Sequence, residues 1–230
     1  MLTSSLSVES IALSTGYNDA FIISTEKRDE ILANCQNEDE RLRTAELIRP
    51  ILRGRDIKRY GYDWANLWLI NTHNGIKGVK PRIDINEYPA VKAHLDQYWD
   101  KISKRADKGD TPYNLRNCAY LDDFNKPKIV WNRIASIKQF ALVDSGIYIQ
   151  DSMHFIIGSN LNYLCSILNS KLIQWLLSLI IGEAAGGNAG NADNIWNLHI
   201  PHTNSDCNVI DSDVYALYGL TDDEIKYVEK

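Results

Sequence analysis

The sequence is short of the motifs that mark several large enzyme classes and of the long apolar runs that mark membrane-spanning helices. It contains no phosphate-loop pattern, no G-x-G-x-x-G after a strand and no G-x-S-x-G elbow, so P-loop NTPase, dinucleotide and α/β-hydrolase chemistry lose their usual signatures. No apolar run approaches the ~20 residues that span a bilayer. The nearest, Leu172 to Ile181, is ten residues long and broken by Gln174 and Ser178, and reads as a buried helix. The N-terminus has no basic region followed by an apolar stretch, so no secretory signal is visible. Cysteine is sparse: Cys35, Cys118, Cys165 and Cys207 are scattered with no C-x-x-C pair. That excludes a disulfide framework and a thiolate zinc site, and suits a reducing, cytoplasmic setting. The only close histidine pair, His199 and His202, is split by Pro201. The one Glu-x-Lys, Glu224 to Lys226, is better read as a capping box opened by Thr221 than as a nuclease motif.

What is present fits a folded chain. Its 230 residues are 44% hydrophobic and 24% charged, enough for one or two domains with a real core. Net charge is −5, but unevenly spread. Residues 1–52 carry five basic and nine acidic side chains, residues 53–138 seventeen and ten, and residues 139–230 three and eleven. A basic central third between acidic ends suits a localised anionic partner rather than indiscriminate nucleic-acid coating. A merely solvated basic face is the alternative.

Local patterns imply mixed structure. Asp19–Ser24 and Leu67–Ile70 read as strands, with helices opening near Thr25 and at Asn37, whose Glu40 completes a capping-box pattern. The second of these helices is expected to stop at Pro50. The clearest helix is expected from about Tyr88 to Arg105, with Tyr88, Val91, Leu95, Tyr98 and Ile102 on one stripe and Lys101, Lys104 and Arg105 at its C-terminal end. Short strands follow from Lys128 to Ile157, then a helical stretch from Asn160 breaking at Asn169–Ser170. The glycine-rich residues 182–194 read as a loop, and Ile195–Ile200 as a strand. The expected fold class is α+β: a single domain with a strand-rich middle and flanking helices, residues 1–203, followed by a C-terminal helical appendage, residues 204–230.

The candidate contact residues are basic with aromatics between them. Arg53, Arg55, Lys58 and Arg59 lie within seven residues beside Tyr60. A turn of this kind presents guanidinium groups to phosphates or to the guanine edge. Gly54 suggests positive φ, and Asp56 can orient one arginine and leave the other free; an internal salt-bridge corner is the competing reading. Lys77, Lys80 and Arg82 occupy a glycine-containing loop, and Lys126, Lys128 and Arg133 flank a strand. These groups are expected to form one continuous basic patch.

The segment Thr15-Gly-Tyr-Asn-Asp-Ala-Phe-Ile-Ile23 closely resembles the opening of the TaqI-like C-terminal specificity domain of adenine-specific DNA methyltransferases and type IIG restriction-modification enzymes. The resemblance continues through Ile48–Tyr60, Glu87–Ala90, Lys126–Ile129, Ile167–Lys171, Leu198–Pro201 and Asp213–Glu224, covering about residues 11 to 225. It implies a sequence-specific module that reads double-stranded DNA for a methyltransferase or endonuclease domain, supplied in cis or in trans. That catalytic domain would carry S-adenosylmethionine and, for cleavage, magnesium. This chain lacks the Asn-Pro-Pro-Tyr and Phe-x-Gly-x-Gly motifs of such a domain, so it is expected to be non-catalytic and to hold no cofactor or metal. The alternative is a protein-interaction subunit docking through Leu172, Trp175, Leu176 and Leu179 without reading bases.

Overall fold

The structure is a computed structural model describing residues 7–9, 14–135, 138–180, 183–184, 187–189, 198–201 and 206–230. It is an α+β chain whose centre is an antiparallel sheet in the order β1 (Ser7–Glu9), β9 (Met153–Ile157), β5 (Lys128–Asn132), β7 (Ala141–Val143). A strand sends alternate side chains to opposite faces, and here both faces are covered. Val130, Ala141, Val143, Met153 and Phe155 pack into one core. Ile129, Trp131, Phe140 and Ile156 pack into another. That is why β5 and β9 read as continuous apolar runs rather than as alternating ones.

The first core is closed by a second sheet, β2 (Ile22–Ser24), β4 (Leu67–Ile70), β3 (Ile48–Leu52) and β8 (Tyr148–Ile149). Helices α1 (Asn18–Phe21), α2 (Thr25–Ala33), α3 (Glu38–Leu47) and α4 (Pro89–Asp96) pack around it. Asn18–Phe21 is one helical turn, so only the second half of the expected first strand is extended. Asn37 caps α3 as its residue type suggests, accepting from Glu40 N at 2.9 Å. The Glu40 side chain does not close the expected capping box on Asn37 N. Its carboxylate accepts from Gln36 N and, across the fold, from Ala90 N at 2.9 Å. Pro50 does not stop α3, which ends at Leu47; the proline lies within β3.

The expected helix from Tyr88 to Arg105 breaks into α4 and a short α5 (Trp99–Ile102). Arg105 is not a helix-end cation either. Only 7% exposed, it donates to the carbonyls of Thr15, Asp107, Pro112 and Asn114 and stacks over Phe21 at 4.5 Å. The Thr15-Gly16 motif thus serves to lock a buried arginine.

The second core lies under α6 (Leu161–Leu168) and α7 (Lys171–Ile180), which meet at Asn169–Ser170 as the sequence suggests. The C-terminal segment is fastened to them. Helix α8 (Asp211–Tyr218) buries Val214 and Tyr215 in this core, Asp206 accepts from Asn162 N and Tyr163 N at the start of α6, and Asp211 accepts from Lys171 N at the start of α7. Helix α9 (Asp222–Val228) opens on the expected Thr221–Glu224 capping box. Within the glycine-rich stretch, β10 (Glu183–Ala184) and β11 (Gly187–Ala189) form a hairpin that pairs with β6 (Ile134–Ala135), not a plain loop. Leu198–Ile200 is not a strand, and residues 195–197 of that expected element lie outside the described residues. No helix among the described residues is long and apolar enough to cross a membrane.

Candidate nucleic-acid interface

Strand β3 runs into a 3-10 turn at Gly54–Asp56, which carries the central basic cluster. Asp56 is 4% exposed. It accepts from Arg53 N at 2.8 Å, from Nε at 3.2 Å and from Nη2 at 2.8 Å. Arg53 is therefore a positioning residue whose fork is occupied. Arg55, in the same turn, is exposed and has no side-chain partner among the described residues. The charge logic read from Arg53-Gly-Arg-Asp56 holds: one arginine is pinned and the other is free.

Gly54 matters for space rather than for dihedral freedom. It does not adopt positive φ. Instead, Asn132 at the end of β5 donates to its carbonyl at 2.8 Å, and a Cβ at position 54 would stand 2.0 Å from Asn132 Oδ1. Beyond the turn, Tyr60 adopts φ +72° and donates its N–H to Phe140 O at 2.9 Å. Arg59 donates to Asn169 O at 2.6 Å and stacks on the Tyr60 ring at 5.0 Å, tying the turn to the α6–α7 elbow. Lys58 faces Asp63 at 3.8 Å.

An open groove of about 640 Å³ lies against this turn, lined by Arg53, Gly54 and Arg55 from one side and by Asn132, Gln150 and Ser152 from the other. Asn18 and Asp19 line it too, so the Thr15–Ile23 motif also contributes to a surface. Arg133 follows directly, exposed and with no side-chain partner among the described residues; its N–H donates to Ser152 O at 2.9 Å. Sequence reasoning missed Gln150, Ser152 and Asn132 because uncharged amides and hydroxyls in a turn carry no signal of their own.

The remaining candidates gather elsewhere. Residues 74–82 form a tight projecting loop; at Gly75, φ is +76° and a Cβ would meet Lys80 O at 2.4 Å, so only glycine fits. Lys80 pairs with Asp122 at 3.3 Å, Arg82 with Asp110 at 3.4 Å and Lys126 with Asp123 at 2.6 Å, while Lys77 is exposed without a partner among the described residues. Exposed pairs of this kind contribute little to stability and open readily to a phosphate. This loop and the 3-10 turn Leu121–Asn125 meet the N-terminal end of β5, whereas the Arg55 groove meets its C-terminal end. Four strand residues separate them by roughly 13 Å. The cations thus gather in two sets, one toward each end of β5.

Lys128 does not belong to either set. It is 0% exposed, and its ammonium donates to the carbonyls of Phe124, Asp144 and Ile147 at 3.0–3.2 Å. Burial pushes its pKa down to about 8. It organises the Leu121–Asn125 turn from below and cannot touch DNA from there. The apolar face of α7 is likewise mostly covered: Leu172 is 8% exposed and Trp175 packs edge-on against Tyr227 at 5.9 Å, leaving Leu179 exposed. Among the described residues no cluster of His, Cys, Asp and Glu is arranged to hold a metal ion; His202 lies outside them.

The family model of the TaqI-like C-terminal specificity domain matches residues 49–187, which takes in both cation sets and the groove lining from Arg53 to Ser152, but not Asn18, Asp19 and Ile22, which line the groove from the Thr15–Ile23 segment. No curated protein sequence matches the chain. Among solved structures, the fold is similar to that of the type IIL restriction-modification enzyme MmeI in complex with DNA, with a TM-score of 0.60 at 14% identity over 85% of this chain. The chain spans about a quarter of that enzyme, 25% of its length.

Proposed function

This chain belongs to the TaqI-like C-terminal specificity domain family, and on that premise we propose that it is the target-recognition module of a restriction-modification system, reading a sequence in double-stranded DNA. The observation that carries the reading is the Arg53–Asp56 grip, which leaves Arg55 free in the lining of an open groove. A free guanidinium on a rigid turn serves either a phosphate or the O6/N7 edge of guanine. Within the candidate set, Arg133 and Lys77 are the other cations without a side-chain partner among the described residues, and we assign them to phosphates. Lys58, Arg59, Tyr60, Lys80, Arg82 and Lys126 join the contact surface by exchanging their present partners.

Catalysis belongs to another domain. An adenine-specific methyltransferase of type IIG character, in cis or in trans, would supply the S-adenosylmethionine and magnesium chemistry, and base flipping would deliver the adenine to it. The division of labour within this chain follows: residues 1–203 read DNA, and residues 204–230 brace the helical side. A cytoplasmic setting accompanies a DNA target. The similar fold of MmeI, whose structure was solved with DNA, supports this reading.

The test is selection from a random duplex pool with the full chain. Enrichment of one short sequence is expected, without methylation or cleavage when S-adenosylmethionine and magnesium are added. Binding with no sequence preference, or methyl transfer by the contaminant-free chain, would overturn the proposal.

A further inference from the structure

Gln150 sits where strand pairing forces it beside the contact turn. Strand β8 runs parallel to β3, with Ile51 opposite Tyr148 and Leu52 opposite Ile149. The next position in that register sets Gln150 beside Arg53, at about the 4.8 Å spacing of neighbouring strands. Its backbone is fixed at both ends: the N–H donates to Leu52 O at 3.0 Å, and the carbonyl accepts from Met153 N at 3.1 Å. The side-chain amide is half-buried in the groove and has no hydrogen-bond partner among the described residues. Buried amides normally find partners, and the Arg55 guanidinium, the Asp19 carboxylate and the Ser152 hydroxyl in this groove likewise have no side-chain partner among the described residues.

The two groups differ in what they can read. An amide presents a donor and an acceptor side by side, which matches N7 and N6–H₂ of adenine in the major groove; a guanidinium matches O6 and N7 of guanine. Arg53, between them, is held by Asp56 and is unavailable. Asp19, the carboxylate in the lining, disfavours a phosphate in the groove itself, so base edges rather than backbone suit its floor. We propose that Gln150 is a specificity-determining residue that reads an adenine, next to or one base pair away from a guanine read by Arg55. The inference rests on the DNA-reading assignment above and deepens it.

The experiment compares duplex selection by the full-length wild type, Gln150→Ala and Gln150→Glu, each checked for an unchanged melting temperature. With the wild type, a site containing adenine adjacent to or one step from guanine is expected. Gln150→Ala is expected to relax that adenine position, weakening cognate binding at least about fivefold while non-specific affinity stays constant. Gln150→Glu, an acceptor-only side chain, is expected to shift the same position towards cytosine. A selected wild-type site that both variants reproduce unchanged would overturn the role of Gln150 and leave the recognition module intact. Failure of the wild type to select any sequence would sink the module and this inference with it.

Discussion

Asn132 Nδ2 donates to the carbonyl of Gly54 at 2.8 Å, and its Oδ1 fills the space where any larger residue at position 54 would place its Cβ. The contact joins the end of β5, in the central sheet, to the turn that leaves β3, in the second sheet. It sets how far Arg55 projects beyond the groove. The turn is therefore rigid because two sheets hold it, not because its own residues prefer the shape.

Gly54→Ala is expected to lower stability by about 1–3 kcal/mol, as overpacking does in a closed space. Adding Asn132→Ala removes the obstructing amide, so the double variant should be more stable than the sum of the two single changes. Thermal melts of the four proteins form the cycle. Strict additivity would mean that the two residues do not meet in solution.

Asp56→Ala removes the acceptor of three bonds from Arg53. With the carboxylate almost fully buried and Arg53 partly exposed, about 1–3 kcal/mol of stability should be lost. Urea unfolding measures it. A loss below about 0.5 kcal/mol, the level of an exposed pair, would show that the grip is not formed.

Lys128→Ala separates a buried lysine from a DNA contact. Its loss leaves the carbonyls of Phe124, Asp144 and Ile147 without their donor, so the melting temperature should fall. Below its unfolding temperature the variant should bind DNA with an unchanged salt slope. A slope smaller by about one unit would return Lys128 to the contact surface.

Acid should weaken the fold through two buried histidines. Burial holds the His94 imidazole pKa below its ordinary 6.5, and its Nε2–H donates to Ala20 O at 3.0 Å. Burial also lowers His73. Because the folded value lies below the unfolded one, the unfolded chain takes up protons first as pH falls. Stability is thus complete above about pH 6.5 and declines below it, until the folded histidines titrate too. His94→Gln, which keeps a donor for Ala20 and cannot titrate, should flatten this decline between pH 6.5 and 5. Equal slopes in urea titrations of both proteins would contradict it.

Residue types and spacing revealed local features well. Asn37 and Thr221 cap helices, α6 and α7 break at Asn169–Ser170, and Asp56 pins one arginine of its own turn; each depends on groups within a few positions. Features set by distant packing were not legible. Arg105 looked like a helix-end cation because Thr15, one of its acceptors, is 90 positions away in the chain, and the others come from an irregular loop after it. Lys128 looked like a surface charge because the burial of β5 on both faces is a property of the sheet. Thr15–Phe21 resembles the family's opening although the family match begins at residue 49, and its physical roles, the Arg105 lock and the lining by Asn18 and Asp19, appear only in three dimensions. Gln150 carries no charge and follows no motif, and only the β3–β8 register places it beside Arg53.

Binding of the full-length Arg55→Ala variant to the selected duplex, followed by fluorescence anisotropy between about 50 and 200 mM salt, tests most directly that the Gly54–Asp56 turn faces DNA. With the melting temperature unchanged, affinity should drop at every salt concentration. A salt slope reduced by about one unit would mark a phosphate contact, and an unchanged slope with one relaxed position in the site would mark a guanine contact. Wild-type affinity, slope and site preference in this variant would contradict the assignment of the turn and its groove to DNA.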